Sequence, residues 1–501
     1  MRLFFRQALR ADYFLCTAIC PDFRPRILPL GVLEGCDKAR LDKPSRGGEA
    51  ADSQRKKGVH GKGLMTAGGT EKRGAEVEVE VLVAGGGMVG LAFAVALAEA
   101  GLEVLVVDQM DPALFREEAF DGRSSAIARG SQQALQVLGL WEGMAPAASP
   151  IRDIRISDGS LGRRQRGGAS SLHLHFASQD VSESEDDPRP LGYIVENTAI
   201  RRAALDRVRA QARIDLRAPA RLMDVARRSG GVVARLDDGT AVRARLLVAA
   251  DGRRSAQREA AGIKVMEVQY GQTAIVATVA HSAPHNGVAH EHFLPSGPFA
   301  LLPMTDAPDE NGQKVHRSSL VWTEKRGLIE AMMALDDAAF AGELQRRFGD
   351  SLGRLTLWGG RRWSYPLSLL HAERYIDTRL ALIGDAAHGI HPIAGQGLNL
   401  GLRDVAALAE CIVDARRLGL DIGSATVLER YQRWRRFDNM ALIAATDSLN
   451  RLFSNDLPPV RLLRDLGLAA VNRVPPLKRF FMRHAMGLVG DLPRLVKGEA
   501  L

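Results

Sequence analysis

Cysteine is scarce in this sequence, with only four among 501 residues. Three of them, Cys16, Cys20 and Cys36, lie within the first 64 residues, so the rest of the chain is nearly free of cysteine. Four cysteines cannot form a disulfide framework in a chain of this length, which indicates a reducing compartment. The hydrophobic fraction of 46% and the charged fraction of 25% exclude fibrous and disordered classes. At ~100–200 residues per domain, the length predicts two or three domains.

The sequence also lacks patterns that metal-dependent and nucleophilic catalysis use. It contains neither a C-x-x-C pair nor a G-x-S-x-G nucleophile turn. The histidines between positions 173 and 292 are scattered, which predicts surface residues rather than a metal site. These histidines are His173, His175, His281, His285, His290 and His292.

Only one uncharged run, residues 81–98, is long enough to resemble a membrane-spanning helix. Glycines interrupt this run at the positions where a strand-turn-helix unit needs them. We therefore predict no transmembrane helix.

Positive charge is concentrated at the start of the chain. Residues 1–64 hold 13 basic and 7 acidic residues, which gives +6 of the total net charge of +8. The remaining chain is nearly neutral, so we expect no nucleic-acid partner. Prolines and Gly/Lys/Ser-rich stretches predict a disordered extension over residues 1–75. Its upstream part is either an over-called start before Met65 or a targeting extension with an Arg-rich beginning.

A glycine motif predicts a bound dinucleotide. The G-x-G-x-x-G sequence follows an apolar strand and opens an Ala-rich helix, and it consists of Gly85, Gly86, Gly87, Met88, Val89 and Gly90. The first glycine permits a tight turn, the second lets the backbone approach a pyrophosphate, and the third allows close helix–strand packing. The pyrophosphate would lie at the helix N-terminus. Asp108 ends the next strand 23 residues after Gly85, where it can accept hydrogen bonds from a ribose.

Two later apolar strands also end at an aspartate. The first ends at Asp251 and Gly252, a pair that by itself is also typical of a simple turn. The second ends at Gly384 and Asp385 and is followed by Pro392. We expect Asp385 to accept hydrogen bonds from a second sugar-like diol.

A glycine-rich turn then enters a helix. Its residues are Gly395, Gln396, Gly397, Leu398 and Asn399. Backbone N–H groups at a helix start would favour a group that gains negative charge. The N1/C2=O edge of a flavin gains such charge when the flavin is reduced, so this turn is expected to stabilise a reduced flavin.

In this order and at these separations, the three motifs resemble those of the class A flavin monooxygenases. These are single-component aromatic hydroxylases with a p-hydroxybenzoate-hydroxylase-like fold, and the match covers roughly residues 77–455. The resemblance implies an α/β fold with a Rossmann-like FAD-binding domain, an interleaved β-rich substrate domain and a helical C-terminus. It also implies that the three motifs bind FAD and that no metal is required.

A closer resemblance is to the ubiquinone-biosynthesis ring hydroxylases of the UbiH type. Residues 120–127 are similar to the segment whose arginine, here Arg123, lies beside the flavin. Residues 391–404 (HPIAGQGLNLGLRD) are similar to the signature of that branch. The resemblance implies hydroxylation of the aromatic ring of a polyprenylated phenol with O2 and NAD(P)H, through a C4a-peroxyflavin. His388 and His391 are predicted to be structural or surface residues, and we assign no catalytic residue.

The resemblance and the composition divide the chain into segments. The extension (1–75) precedes the first part of the FAD-binding domain (76–176), its continuation (177–264) with an acidic loop (177–190), the substrate-binding sheet (265–370), the last part of the FAD-binding domain (371–455) and a helical tail (456–501).

The tail predicts a basic amphipathic helix that begins at Pro475. Its apolar face would hold Leu477, Phe481 and Leu488, with Arg479 and Arg483 opposite. Such a helix either lies on an anionic membrane surface or packs against its own domain. We therefore expect a cytoplasmic protein with peripheral association with the inner membrane, and other ubiquinone-biosynthesis proteins as partners.

Alternative functions on the same fold remain open. They are a soluble aromatic hydroxylase, a prenyl reductase and a flavin-binding subunit without activity. A halogenase is excluded because the tryptophans provide no W-x-W-x-I-P motif.

Overall fold

The computed structural model describes residues 76–115, 122–158, 173–181, 189–391, 395–453 and 473–501. The predicted extension, residues 182–188 of the acidic loop and Pro392 lie outside the described residues.

The strands belong to three sheets and are numbered here in chain order. They are β1 Glu76–Ala84, β2 Val104–Val107, β3 Ser124–Ala128, β4 Ser149–Ile151, β5 Asp153–Asp158, β6 His173–Ala177, β7 Gly192–Glu196, β8 Ile214–Arg217, β9 Leu222–Arg228, β10 Gly231–Leu236, β11 Ala241–Ala249, β12 Val265–His281, β13 Val288–Leu294, β14 Gly297–Pro303, β15 Ala307–Pro308, β16 Lys314–Lys325, β17 Leu355–Ala372, β18 Ile376–Asp377, β19 Leu380–Leu382 and β20 His388–Gly389.

The α-helices are numbered in the same way. They are α1 Met88–Glu99, α2 Arg129–Val137, α3 Trp141–Met144, α4 Asn197–Arg209, α5 Ala256–Ala260, α6 Ile329–Met333, α7 Asp337–Phe348, α8 Gly397–Arg417, α9 Ala425–Phe453, α10 Pro475–Ala485 and α11 Arg494–Lys497. Short 3-10 helices cover Pro112–Phe115, Ala145–Ala147, Ser178–Val181, Arg326–Leu328 and Gly384–Ala386.

The first sheet has the order β18-β19-β11-β1-β2-β8, and β9 and β10 extend it from β11. Strands β19, β11, β1, β2 and β8 run parallel to one another. The second half of β1 is fully buried, because helices cover both faces of a parallel sheet. The carboxyl ends of these strands therefore lie along one edge, where a Rossmann-like fold binds its ligand.

Two helices pack closely at this edge because glycines face them. Helix α1 is Ala-rich, and α8 contacts it. A Cβ at Gly401 of α8 would lie 2.7 Å from Cγ2 of Val89 in α1, and one at Gly384 would lie 3.2 Å from Cγ1 of Val89. Only glycine allows three segments to meet at Val89 in this way.

The second sheet has the order β20-β17-β12-β16-β14-β13-β5-β6, with β15 paired to β16. Its core lies under α7 and includes the fully buried Phe299, Trp322 and Phe340. Strand β20 immediately follows the turn at Gly384 and pairs with β17. This pairing joins the second sheet to the ligand-binding edge of the first.

The strand pairing differs from the predicted segment boundaries at β5 and β6, and also at β20. Strand β5 pairs in parallel with β13, and β6 pairs with β5. Strands β5 and β6, which the sequence analysis placed in the FAD-binding domain, therefore extend the second sheet. The third sheet, in the order β3-β7-β4, contains the strand that follows Arg123.

The tail forms the predicted helix, α10, but buries a different face. Met482 and Met486 are buried with Leu174 and Phe176 of the second sheet. Phe480 and Phe481 are 52% and 44% exposed. The two methionines at i and i+4 pack against the protein, while Phe481, on the predicted apolar face, is left exposed. Among the helices that the structure describes, none combines the length and the hydropathy needed to cross a membrane.

Candidate active site

The motifs found in the sequence meet at one edge of the first sheet. The N–H of Gly85 donates to the carbonyl of Val107 (2.8 Å), and the N–H of Ala250 donates to that of Ala84 (2.8 Å). The N–H of Ile383 donates to the carbonyl of Ala249 (3.0 Å). These bonds align the ends of β2, β1, β11 and β19, so the glycine turn, Asp108, Asp251 and Asp385 share one edge.

The glycine turn leaves open space at the start of α1. Gly85 has a φ of +107°, and a Cβ there would lie 2.4 Å from the carbonyl oxygen of Ala250. A Cβ at Gly90 would lie 2.0 Å from the carbonyl oxygen of Gly85, whereas one at Gly87 would meet no atom within 4 Å. No side chain caps α1. Its first N–H groups, next to Met88 and Val89, are thus available to an anion such as a pyrophosphate.

Asp108 is held against the glycine turn. Its Oδ2 accepts from the N–H of Gly86 (2.5 Å), and its Oδ1 accepts from the N–H of Met110 (2.7 Å). A carboxylate has about four acceptor positions, so these bonds fix its orientation and leave capacity for ribose hydroxyls.

Asp251 is half-buried, and one of its carboxylate oxygens is buried and unsatisfied. Its Oδ2 accepts from the N–H of Gln257 (3.2 Å), while its Oδ1 has no hydrogen-bond partner among the described residues. Burial raises the pKa of this carboxyl, and hydrogen bonds from Ser255 and from backbone N–H groups act in the opposite direction. Because an unpaired buried acceptor is costly, the site fits a ligand that donates a hydrogen bond here. The neighbouring Gly252 has a φ of +78°.

Arginines join the Asp251 loop to the turn that carries Asp385. Arg258 is buried and donates to the carbonyls of Ala386 (3.0 Å) and Arg253 (2.8 Å). Arg253 donates in turn to the carbonyl of Ser368 in β17 (2.7 Å). The Asp251 loop is therefore fixed both to this turn and to the second sheet.

The Gly-Asp turn, Gly384–Ala386, places Asp385 in the cleft. Gly384 has a φ of +58°, which favours glycine. The Asp385 side chain reaches solvent, although protein atoms surround it on most sides. This surrounding protein raises the pKa of Asp385, and the charges of His388, Arg253 and Arg123 partly offset the rise.

A buried carboxylate lies beneath this turn. Asp404 Oδ2 accepts from the N–H of Gly384 (3.0 Å) and bonds Nε2 of His388 (2.5 Å). Its Oδ1 accepts from Nε of Arg435 (2.9 Å) and from Nδ2 of Asn439 (3.4 Å). Burial acts to raise the pKa of Asp404, but His388 and Arg435 hold it below its ordinary value. His388 is thus buried and bonds Asp404 in the protein interior, which is typical of a structural residue.

His391 is also buried rather than exposed. Its ring packs edge-on against Tyr270, with 5.0 Å between ring centroids. Burial lowers its pKa to about 4, so the imidazole is neutral at physiological pH. A small apolar cluster of Leu369, Ile390 and Leu400 adjoins Tyr270 and keeps water from this part of the interior.

The turn that enters α8 is attached to two other segments. The Asn399 side chain donates to the carbonyl of Ala126 (2.8 Å) and accepts from the N–H of Ala128 (2.9 Å), both in β3. Gln396 donates to the carbonyl of Ala485 in α10 (3.2 Å). These side chains are occupied within the protein, so the groups open to a ligand here are backbone N–H groups. A Cβ at Gly397 would meet no atom within 4 Å.

Tight packing fixes the segments on either side of this turn. Gly395 has a φ of +61°, and a Cβ there would lie 2.8 Å from Cβ of Ala126. Leu398 packs against the main core. The Arg123 guanidinium lies over the ring of Tyr365 in β17, at 5.2 Å from the centroid. Arg123 therefore stands where the third sheet meets the second.

Several residues of the site had no clear signal in the sequence. Arg253 and Arg258 follow the Asp251 motif closely, and Asp404 lies within the 391–404 segment. Arg435 and Asn439, in contrast, belong to a helix with no motif. Only the fold brings them beneath the Gly-Asp turn.

Known proteins match most of the chain. The family of FAD binding domains matches residues 78–445. Ubiquinone hydroxylase UbiL of Rhodospirillum rubrum is 50% identical, over 85% of this chain and 94% of its own. The 3-demethoxyubiquinol 3-hydroxylase of Escherichia coli is 36% identical, over 82% of this chain and 98% of its own.

The chain belongs to the FAD-dependent ubiquinone-biosynthesis hydroxylases. It is a FAD-dependent monooxygenase, as the sequence motifs predicted. The fold is confirmed by p-nitrophenol 4-monooxygenase PnpA of Pseudomonas putida, with a TM-score of 0.65 and 20% identity over 83% of this chain and 99% of that chain. Klebsiella pneumoniae HpxO, solved with FAD and uric acid, has a TM-score of 0.60 and 18% identity, over 81% of this chain and 97% of that chain.

The residues at the sheet edge suit FAD in this monooxygenase. The start of α1 would offer N–H groups to its pyrophosphate, and Asp108 and Asp385 would offer carboxylates to its hydroxyl groups. When bound, FAD supplies the redox and oxygen chemistry, so the protein has to bind, orient and enclose the cofactor. Arg258 and Asp404 hold the cleft in shape, and the second sheet covers it through β20 and β17.

Proposed function

We propose that this monooxygenase hydroxylates the aromatic ring of a polyprenylated phenol in ubiquinone biosynthesis, with O2 and NAD(P)H as co-substrates. The observation that carries the proposal is the 50% identity to a ubiquinone hydroxylase over 94% of that protein's length. The name of the Escherichia coli relative, a demethoxyubiquinol hydroxylase, supports the same substrate class. A soluble aromatic hydroxylase or a prenyl reductase is the alternative.

Lipid analysis of a strain that lacks this protein tests the substrate class. The proposal predicts loss of ubiquinone and accumulation of one polyprenylated phenol that lacks a single ring hydroxyl, whose structure identifies the ring carbon. Normal ubiquinone in a strain without any other ring hydroxylase would contradict it. Accumulated lipids with extra double bonds in the prenyl chain would favour the reductase.

The FAD contacts form a second part of the proposal. The proposed contacts are Gly85, Gly87, Met88, Val89, Gly90, Asp108, Arg123, Asp251, Gly252, Gly384, Asp385, Pro392, Gly395, Gln396, Gly397, Leu398 and Asn399. Asp385→Ala removes a carboxylate in the cleft and should weaken FAD binding about 10–100-fold, as expected for a hydrogen bond to a charged group. The exposed Asp215 in β8 provides the control, Asp215→Ala. Equal FAD affinity of both variants would contradict the role of Asp385.

Peripheral attachment to an anionic membrane is a third part of the proposal, and the exposed side of α10 supports it. Phe480 and Phe481 project from this helix, and the neighbouring Arg479 and Arg483 are exposed. Two adjacent exposed aromatic side chains flanked by arginines suit the headgroup region of an anionic bilayer. Attachment there would give access to a substrate that partitions into lipid. Contacts with other ubiquinone-biosynthesis proteins stay a prediction.

Co-sedimentation with liposomes tests this surface. The protein should bind vesicles that contain phosphatidylserine and dissociate in high salt, since salt screens surface charge. Phe480→Asp with Phe481→Asp should abolish binding and leave FAD content intact. The control, Met223→Asp, changes an exposed side chain of β9 and should bind normally. Wild-type protein that stays in the supernatant at low salt would overturn the proposal.

A further inference from the structure

The buried carboxylate of Asp404 connects parts of the site that lie far apart in the sequence. It lies on α8, whose first turn offers backbone N–H groups to the cleft. Two of its contacts, the N–H of Gly384 and the imidazole of His388, come from the two ends of the segment that carries Asp385. The other two, Arg435 and Asn439, come from α9.

We propose that Asp404 is a positioning residue for FAD, which fixes the Gly-Asp turn relative to the start of α8. The Asp385 carboxylate and the α8 N–H groups then face one cofactor with a fixed separation. This inference rests on the proposed contact between Asp385 and FAD.

The four contacts require an acceptor that carries charge. Gly384, Arg435 and Asn439 each donate to Asp404, and His388 adds a ring N–H when Nε2 is protonated. An ionised carboxylate is acceptor-only and can satisfy all four, whereas the amide of an asparagine would turn donors towards some of them. Burying a charge in this way rarely maximises stability, because well-packed apolar groups often stabilise a core as much. The need to fix the Gly-Asp turn relative to α8 explains why a charged residue, Asp404, occupies this buried position.

Tyr375 extends the network away from the cleft. Its hydroxyl accepts from Nδ2 of Asn439 (3.2 Å) and bonds Nε2 of His371 (3.0 Å). Tyr375 itself is fully buried. Tyr375 therefore fixes Asn439 on the side away from the cleft, and this helps to fix the position of the Asp404 carboxylate.

A second ion pair provides a control. It lies at the amino end of β19, the strand whose carboxyl end leads into the Gly-Asp turn. Arg379 precedes β19 and donates to both carboxylate oxygens of Asp421 (2.7 and 2.6 Å). This pair joins β19 to the segment between α8 and α9, but it lies at the amino end of the strand. Breaking it should lower stability without moving the Gly-Asp turn.

The first experiment compares Asp404→Asn with Asp421→Asn. FAD affinity is measured by flavin fluorescence, and the environment of the bound flavin by visible circular dichroism. Asp404→Asn should weaken FAD binding about 10–100-fold, the effect expected for one hydrogen bond to a charged group, and should change the visible spectrum. Asp421→Asn should lower the melting temperature and leave both flavin readouts unchanged. Equal flavin readouts for the two variants would overturn the inference.

Because Asp404→Asn leaves Arg435 without its buried counter-ion, a second variant protects the test against misfolding. His388→Gln keeps the Asp404–Arg435 pair and removes only the imidazole contact. It should fold, weaken FAD binding by a smaller factor and alter the visible spectrum in the same direction. A folded His388→Gln protein with wild-type FAD affinity and spectrum would also overturn the inference.

A double-mutant cycle shows whether Asp404 acts through Asp385. If it does, the loss of FAD affinity in Asp404→Asn with Asp385→Ala should be smaller than the product of the two single losses. Independent losses that multiply would contradict the inference. If Asp385→Ala alone had no effect, the proposed FAD contact would be wrong. If instead the proposed substrate were wrong, these FAD affinities would still follow the pattern expected here, and only the reaction products would differ.

Discussion

At the scale of single residues, two glycines of the glycine turn should have different roles, one in FAD binding and one in folding. Gly87 faces open space, whereas Gly90 contacts the carbonyl of Gly85. Gly87→Ala should therefore keep the melting temperature and reduce FAD affinity, because its Cβ would occupy the space into which a pyrophosphate fits. Gly90→Ala should lower the melting temperature, because its Cβ would collide with backbone. Thermal unfolding and flavin titration measure the two effects, and a Gly87→Ala protein with normal FAD affinity would contradict the placement of the pyrophosphate.

The sequence predicted the residues of the site that sit in motifs, because such motifs describe local backbone geometry. Gly85 and Asp108 are examples, since the turn and the strand end that position them follow from neighbouring residues. The roles of Asn399 and Arg435 could not be read in the same way. Asn399 was predicted to offer its backbone to the cofactor, and the bond of its side chain to β3, 271 residues away, had no signal in the sequence. Such contacts depend on the tertiary fold, which no local pattern encodes.

At the scale of elements, periodicity predicted helices and strands better than it predicted their partners. The apolar strand predicted before the glycine motif is β1, and the Ala-rich helix predicted after it is α1. The pairing of β5 with β13 was missed, since both are short strands far apart in the sequence. In α10 the periodicity gave a helix, but which face is buried depended on the apolar surface that receives it.

Truncating a side chain to alanine on either side of α10 should change the free energy of unfolding by different amounts. Met482 is buried against the second sheet, and Phe481 is exposed. Met482→Ala should lower the free energy of unfolding by about 2–5 kcal/mol, because it leaves a cavity. Phe481→Ala should change it by less than about 0.5 kcal/mol, as is usual for a surface site. Urea unfolding measures both, and a larger loss for Phe481→Ala than for Met482→Ala would show that α10 packs through the opposite face.

At the scale of the whole molecule, buried histidines set the response to acid. Burial lowers the pKa values of His290, His371 and His391 to about 4 from 6.5. Between these values the unfolded chain binds protons that the folded chain does not, so stability falls as the pH falls from 6.5 towards 4. Each histidine should cost about 2 kcal/mol at pH 5 relative to pH 7.

Unfolding in urea at a series of pH values measures this dependence. His290→Gln should flatten it by about one proton, because glutamine does not titrate. Burial raises the pKa of Glu291 to about 7, which acts in the opposite direction over this range. A His290→Gln protein with the pH dependence of the wild type would therefore show that this imidazole is solvated. The loss should precede any loss from Asp404, whose lowered pKa confines its contribution to more acidic conditions.

The central claim is that this protein inserts one atom of O2 into the ring of a polyprenylated phenol. The most direct measurement is mass spectrometry of the product formed by the purified, FAD-loaded protein with NAD(P)H, a short-chain prenyl phenol and isotopically labelled O2. We predict one labelled oxygen atom on the aromatic ring and an unchanged prenyl chain. NAD(P)H oxidation without a labelled product, or a product reduced in its prenyl chain, would contradict the assignment.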